Sequence, residues 1–129
     1  MKAPDVNTSP YHRFLGLTLN RFEEGLAEVG LPFRQEFLRA DGSDWIHGGI
    51  LSALIDIAGD YAVWSKFGVG VPTIDLRIDY LRPARAGNLS AVGRVVKAGR
   101  TVSIADIELR DEVLELVAVG RGLYASPKV

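Results

Sequence analysis

Trp45-Ile-His-Gly-Gly-Ile-Leu-Ser-Ala-Leu-Ile-Asp56-Ile-Ala-Gly-Asp60-Tyr-Ala-Val-Trp-Ser-Lys-Phe67 is the stretch whose reading decides the fold. It is too long for one strand, and apolar residues return at helical spacing, with Ile50, Leu51, Leu54, Ala58 and Tyr61 on one face. The spacing predicts a helix over 47–67. Its opposite face collects Gly49, Ser52, Ala53, Asp56, Gly59 and Asp60, which are small or acidic rather than long and solvating. Such a face invites close approach by a second backbone or a ligand. A membrane span is a poor reading, because Asp56, Asp60 and Lys66 would each cost about 2.5 to 3.5 kcal/mol at mid-bilayer.

On the N-terminal side, Tyr11, Phe14 and Leu15 suggest one short amphipathic helical turn ending near Gly16, preceded by a loose tail over 1–10. Residues 17–23 and 26–38 read as two strands joined by a Glu24-Gly25 turn, and 39–44 as a polar loop. On the C-terminal side, Ile74, Leu76, Ile78 and Tyr80 alternate with Thr73, Asp75, Arg77 and Asp79, the pattern of a half-buried strand. Further strands are predicted over 89–97, 101–109 and 113–124, with a short tail over 126–129. The four strands after the helix are expected to pair consecutively as antiparallel neighbours. One curved sheet wrapping one helix, an α+β arrangement in a single domain over 11–125, covers a helix that is apolar around most of its circumference.

The composition narrows the function classes. Lys and Arg total 15 against 16 Asp and Glu, so there is no general pull toward nucleic acid or anionic membrane, and any anion site must be local. With no cysteine there are no disulfides, thiolate metal sites or cysteine nucleophiles. His12 is the only histidine besides His47, so no metal site is expected. The opening MKAPDVNTSP lacks the apolar core of a secretion signal, and a cytoplasmic location is the expectation. The glycines form neither a dinucleotide-binding nor a P-loop pattern.

Chemistry concentrates where His47-Gly48-Gly49 opens the helix and Asp56 follows nine residues after the histidine. The first N–H groups of a helix have no intrahelical partners and carry the positive end of its dipole. Glycines there admit a carbonyl oxygen, and the Gly48 N–H would stabilise it best as it becomes an oxyanion. Asp56 could attack the carbonyl carbon or activate a water. Eight residues at 1.5 Å rise separate the two by roughly 12 Å, too far for both to act on one carbonyl. Donor and acid are therefore expected from different chains, paired about a two-fold axis. His47 is read as a positioning residue.

The chain resembles the hotdog thioesterases of the PaaI type. Their hallmark, His-Gly-Gly with an acid nine positions after the His, is matched by His47, Gly48, Gly49 and Asp56. Residues 71–87 look like the family's strand after the helix and 96–101 like its next hairpin, so the similarity runs from about Tyr11 to Tyr124. The resemblance implies a hotdog fold and hydrolysis of acyl-CoA in a homodimer, with a tetramer left open and no cofactor beyond the CoA of the substrate. Gly48 would polarise the thioester carbonyl and Asp56 of the neighbouring subunit would be nucleophile or base. Thr73 falls where relatives orient the attacking water. Gly99, Arg100 and Thr101, with Arg82 and Arg121, fall near where relatives hold the CoA phosphates or pantetheine arm, while Gly49 and Asp60 are further substrate-side candidates. One position departs from the pattern: relatives carry Asn six residues before the His, and here it is Asp41, which when ionised accepts hydrogen bonds but donates none. That departure gives weight to an alternative, a non-catalytic acyl-CoA sensor on the same fold.

Overall fold

The computed structural model describes residues 1–128; Val129, the end of the expected C-terminal tail, lies outside them. The long helix, α2, spans Gly48–Phe67, with His47 as its N-cap and Gly68 ending it in the left-handed conformation (φ 80°), where glycine carries no Cβ penalty. A short helix α1 (Pro10–Leu15) precedes it, with Ser9 capping its start and Gly16 its end. Of α1's apolar residues only Leu15 enters the core; Tyr11 and Phe14 are exposed and stack on each other. The expected tail contains a turn of 3-10 helix at Val6–Thr8, and Val6 packs against the core.

The strands are β1 (Thr18–Glu23), β2 (Leu26–Leu31), β3 (Thr73–Tyr80), β4 (Leu89–Ala98), β5 (Val102–Arg110) and β6 (Leu116–Ala125). They form one antiparallel sheet in the order β1-β2-β4-β5-β6-β3, packed on α2, which is the expected hotdog architecture. Gly25 at φ 81° supplies the β1–β2 turn. Two expected strands are shortened. β2 stops at Leu31 because Pro32 has no N–H for the ladder; Phe37 then folds back into the core from a 3-10 turn at Gln35–Phe37. β6 starts three residues late, because Val113 and Leu114 sit exposed in the β5–β6 turn, with Leu114 at φ 67°.

Consecutive pairing holds for β4–β5 and β5–β6 but fails for β3, which pairs with β6, while β4 pairs with β2. The reason lies in what each strand can bear. A Cβ built on Gly93 of β4 would come within 2.5 Å of the Ala58 carbonyl oxygen, so β4 runs against the helix backbone and belongs in the middle. β3, with Asp75, Arg77 and Asp79 all exposed, suits the edge, where charge discourages random strand pairing. The loop 81–88 carries the chain from edge to centre.

The inner sheet face presents Ala27, Val29, Ala91, Ala105, Ile107 and Leu109 to Leu54, Ile55, Ala58, Ala62 and Val63 of the helix, all buried. The outer face carries a charged row, Arg94 beside Asp106 beside Arg121 beside Arg77 across four strands. No helix among the described residues is long and apolar enough to cross a membrane.

Candidate active site

The helix start is built by its own cap. The His47 Nδ1 accepts the Gly49 N–H at 2.8 Å, which places the neutral ring's proton on Nε2. The next N–H, from Ile50, returns to the His47 carbonyl at 3.0 Å. The Gly48 N–H has no acceptor among the described residues, and His47, Gly48 and Gly49 are all exposed. The two glycines differ in purpose. A Cβ at Gly49 would come within 3.0 Å of the His47 Nδ1 and disturb the cap, whereas one at Gly48 would meet only Tyr80 Cε1 at 3.8 Å, an ordinary contact. Packing within this chain therefore does not require glycine at 48.

Two turns along, Asp56 is half-buried and held from the sheet by two hydroxyls. Thr73 Oγ1 donates to the Asp56 carboxylate Oδ1 at 2.8 Å, and the Tyr124 hydroxyl donates to the Asp56 main-chain carbonyl at 3.0 Å. Thr73 and Tyr124 are direct cross-strand partners on β3 and β6, so one step of the ladder addresses both ends of the residue. Burial, followed by the nearby carboxylates of Asp56 and Asp60, pushes the Tyr124 phenol well above its usual range, so it stays a neutral donor. The Tyr124 hydroxyl occupies the space beside Gly59, where a Cβ would lie 2.1 Å from it. Gly59 thus belongs to the sheet-facing side, not to the open small-residue face expected from the sequence.

Four residues on, Asp60 accepts the Val71 N–H at 3.2 Å. Desolvation, only partly offset by that bond, raises its carboxyl to about 6, and the charge of Asp56 adds to the rise. Toward the helix start, Ser52 Oγ donates to the Gly48 carbonyl at 3.0 Å, and the Tyr80 hydroxyl lies 3.2 Å from Ser52 Oγ.

The other candidates fall into separate groups. The Gly99-Arg100-Thr101 turn lies at the Thr73 end of the sheet: Ser126 donates through its N–H to the Thr101 carbonyl (2.9 Å) and through its hydroxyl to the Gly99 carbonyl (2.6 Å), while Ala125 N–H donates to the Pro72 carbonyl (2.9 Å). Two strand spacings, roughly 10 Å, separate β5 from β3 there. Arg100 is exposed and in no ion pair among the described residues. Arg82 pairs with Glu115 beyond the other end of β3. Arg121 lies on the outer sheet face, the face opposite the helix, where Asp106 holds it at 2.6 and 2.9 Å. Asp41 is exposed on the turn before the helix.

Sequence reasoning missed Tyr124 and Tyr80. The signal for Tyr124 was the small residue at 59, three positions past the acid, which needed a bulky group opposite. For Tyr80 there was only its place in the alternation of β3.

One antiparallel sheet packed on a long central helix, with an acid held at mid-helix and an open helix start, is a hotdog-fold architecture, and the class of protein is given by its relatives. The family model for the thioesterase superfamily matches residues 45–118. A solved structure of a thioesterase-superfamily protein is 40% identical, with a TM-score of 0.90, over 95% of this chain and 92% of that one. The PaaI protein of Escherichia coli, from its phenylacetic acid degradation operon, is 30% identical with a TM-score of 0.84, over 94% of this chain and 86% of that one. The medium/long-chain acyl-CoA thioesterase YigI of Salmonella typhimurium is 28% identical over 89% of this chain and 84% of its own length. The chain belongs to the thioesterase superfamily.

Proposed function

We propose that the protein hydrolyses acyl or aryl thioesters of CoA at a site shared by two copies of the chain, the Gly48 N–H of one polarising the thioester carbonyl and Asp56 of the other acting as nucleophile or general base. The observation that carries this reading is the hydroxyl-held Asp56 carboxylate on a half-open helix face, with the Gly48 N–H, unpartnered among the described residues, at the start of the same helix. A free donor at a helix start is worth most where negative charge develops, on the carbonyl oxygen of the tetrahedral intermediate. The name of the YigI relative, a medium/long-chain acyl-CoA thioesterase, favours CoA-linked acyl groups as the substrate class.

The separation of the two groups along one helix, roughly 12 Å, supports a second chain. So does β3, whose outer edge is unpaired in the sheet order and which exposes Ile74 and Tyr80, followed by Leu81. In this reading Thr73 orients Asp56 or the water beside it, and His47 holds the helix start in shape. The Gly99-Arg100-Thr101 turn, with its unpaired guanidinium, is the favoured contact for a CoA phosphate, ahead of Arg82 and Arg121, whose guanidinium groups are already engaged by carboxylates.

The deciding experiment is release of free CoA from a panel of acyl- and aryl-CoAs, followed with a thiol-detecting reagent, for the wild type and Asp56→Asn. Hydrolysis of at least one thioester by the wild type, lowered about 100-fold or more in the variant, is the expected result. Binding of acyl-CoA without any release would replace the enzyme by the sensor reading. A monomer with full activity would remove the shared site.

A further inference from the structure

We propose that Asp60 is a positioning residue for the hydrolysis: it fixes the peptide that leads into β3, so that the Thr73 hydroxyl is aimed at Asp56. This rests on the reading of Asp56 as the reacting acid.

Asp56 and Asp60 lie one helical turn apart and grip the same short segment, Asp60 through the Val71 N–H (3.2 Å) and Asp56 through the Thr73 hydroxyl (2.8 Å). The segment between helix and strand is short and ends at Pro72, whose ring fixes its own φ and restricts Val71. It begins at Gly68 in the left-handed conformation and passes through Gly70, which lies against the Trp64 ring. It does not need a carboxylate to stay folded. The Val71 side chain is already buried in the core, and the Pro72 carbonyl already takes the Ala125 N–H at 2.9 Å.

What the Asp60 bond adds is the orientation of one peptide plane, two residues before the hydroxyl that meets Asp56. Just beyond, the β3–β6 register shifts between Thr73 and Asp75, so the start of β3 is joined to the ladder by the Thr73–Tyr124 pair and the Pro72 carbonyl, apart from the regular pairing that follows. The carboxylate is kept there at a cost, since burial raises it to about 6 and the neighbouring Asp56 opposes its charge. An uncharged residue would avoid that cost, but a side chain without an oxygen would leave the Val71 N–H without its acceptor.

The test compares wild type, Asp60→Ala, Asp60→Asn, Thr73→Val and the Asp60→Ala/Thr73→Val double variant on the thioester the wild type turns over fastest, with thermal melts as the folding control. Asp60→Ala is expected to lower kcat about tenfold or more with KM within about twofold, the size expected when a reacting group is misaligned. Asp60→Asn, which keeps an oxygen to accept the Val71 N–H, is expected to restore most of the loss. In the Thr73→Val background Asp60→Ala should cost no more than about twofold, since the two act through one contact. The same loss in both backgrounds, or Asn no better than Ala, overturns the proposal. Should Asp60→Ala fail to fold, Asp60→Ser, whose shorter side chain falls short of Val71, replaces it in the cycle.

A readout that needs no turnover is the Thr73 side-chain rotamer, from three-bond couplings in carbon-13-labelled protein. A single rotamer in the wild type that becomes averaged when Asp60 loses its oxygen supports the proposal, and unchanged couplings sink it. A wild type that hydrolyses no thioester defeats the activity reading, and the couplings still decide whether Asp60 positions Thr73.

Discussion

Two glycines on one helix make the most instructive contrast in this molecule. Gly59, at mid-helix, is small because the chain itself needs the space: the Tyr124 hydroxyl and Ile107 Cδ1 would both lie within 3.0 Å of a Cβ there. Gly48, at the helix start, is small although nothing among the described residues crowds it. The first is explained by packing between helix and sheet. For the second, the proposed function supplies a reason outside the chain, a substrate oxygen that comes close to an N–H. A small-residue stripe thus holds two kinds of information, and only the sheet opposite tells them apart.

Substituting each glycine should separate the two cleanly. The largest effect is expected at mid-helix: Gly59→Val must displace the Tyr124 ring and break its bond to the Asp56 carbonyl. A loss of about 3 kcal/mol or more in denaturant unfolding is expected. A stability within about 1 kcal/mol of wild type would remove the packing explanation.

Gly48→Ala should show the reverse, with unfolding changed by less than about 0.5 kcal/mol, since alanine is the better helix former. Thioester turnover should fall about tenfold or more, close to 1.4 kcal/mol of transition-state stabilisation. Equal activity in that variant would mean that the helix start is not where the carbonyl sits.

Tyr124→Phe sharpens the mid-helix half. It keeps the ring beside Gly59 and removes only the hydroxyl, so a loss of about 1 kcal/mol in unfolding is expected, the size of one hydrogen bond.

A further effect concerns pH. Because the Asp60 carboxyl is raised to about 6 in the folded chain from an ordinary value of 3.8, the folded state holds its proton more tightly, and stability falls as pH rises through that window. The groups around it are Asp56 on its own helix, Tyr61 beside it and Tyr124 from β6. The melting temperature of Asp60→Asn should therefore gain on wild type as pH goes from about 4 to above 6, and hold steady beyond. His12 acts in the other direction. Burial lowers its value below 6.5, so its contribution is lost as pH falls beneath that point, and its 3.1 Å contact with the Tyr61 hydroxyl ties this loss to the docking of α1. An Asp60→Asn difference that is flat across the whole range would show that the carboxyl is not desolvated.

What the sequence made legible follows the same division between local and distant. The helix, its start at His47-Gly48 and the place of Asp56 came from residues within a few turns of one another, because helical periodicity is written locally. Thr73 was picked out through family resemblance, and its bond to Asp56 spans seventeen positions that no local pattern connects. The place of β3 at the far edge, and Tyr124 against Gly59, depend on which strand lies opposite which. Alternation along a strand records only which side faces inward. The stop of β2 was readable in principle from Pro32, but the apolar residues beyond it, Phe33 and Phe37, continued the pattern while serving a folded-back turn.

The contact of Gly93 with the Ala58 carbonyl has one further effect. With no side chain between the two main chains, the helix lies directly against the sheet backbone, and the depth at which it sits is fixed by that contact. A larger residue at 93 would lift the helix from its bed and carry Asp56 away from the Thr73 and Tyr124 hydroxyls that hold it.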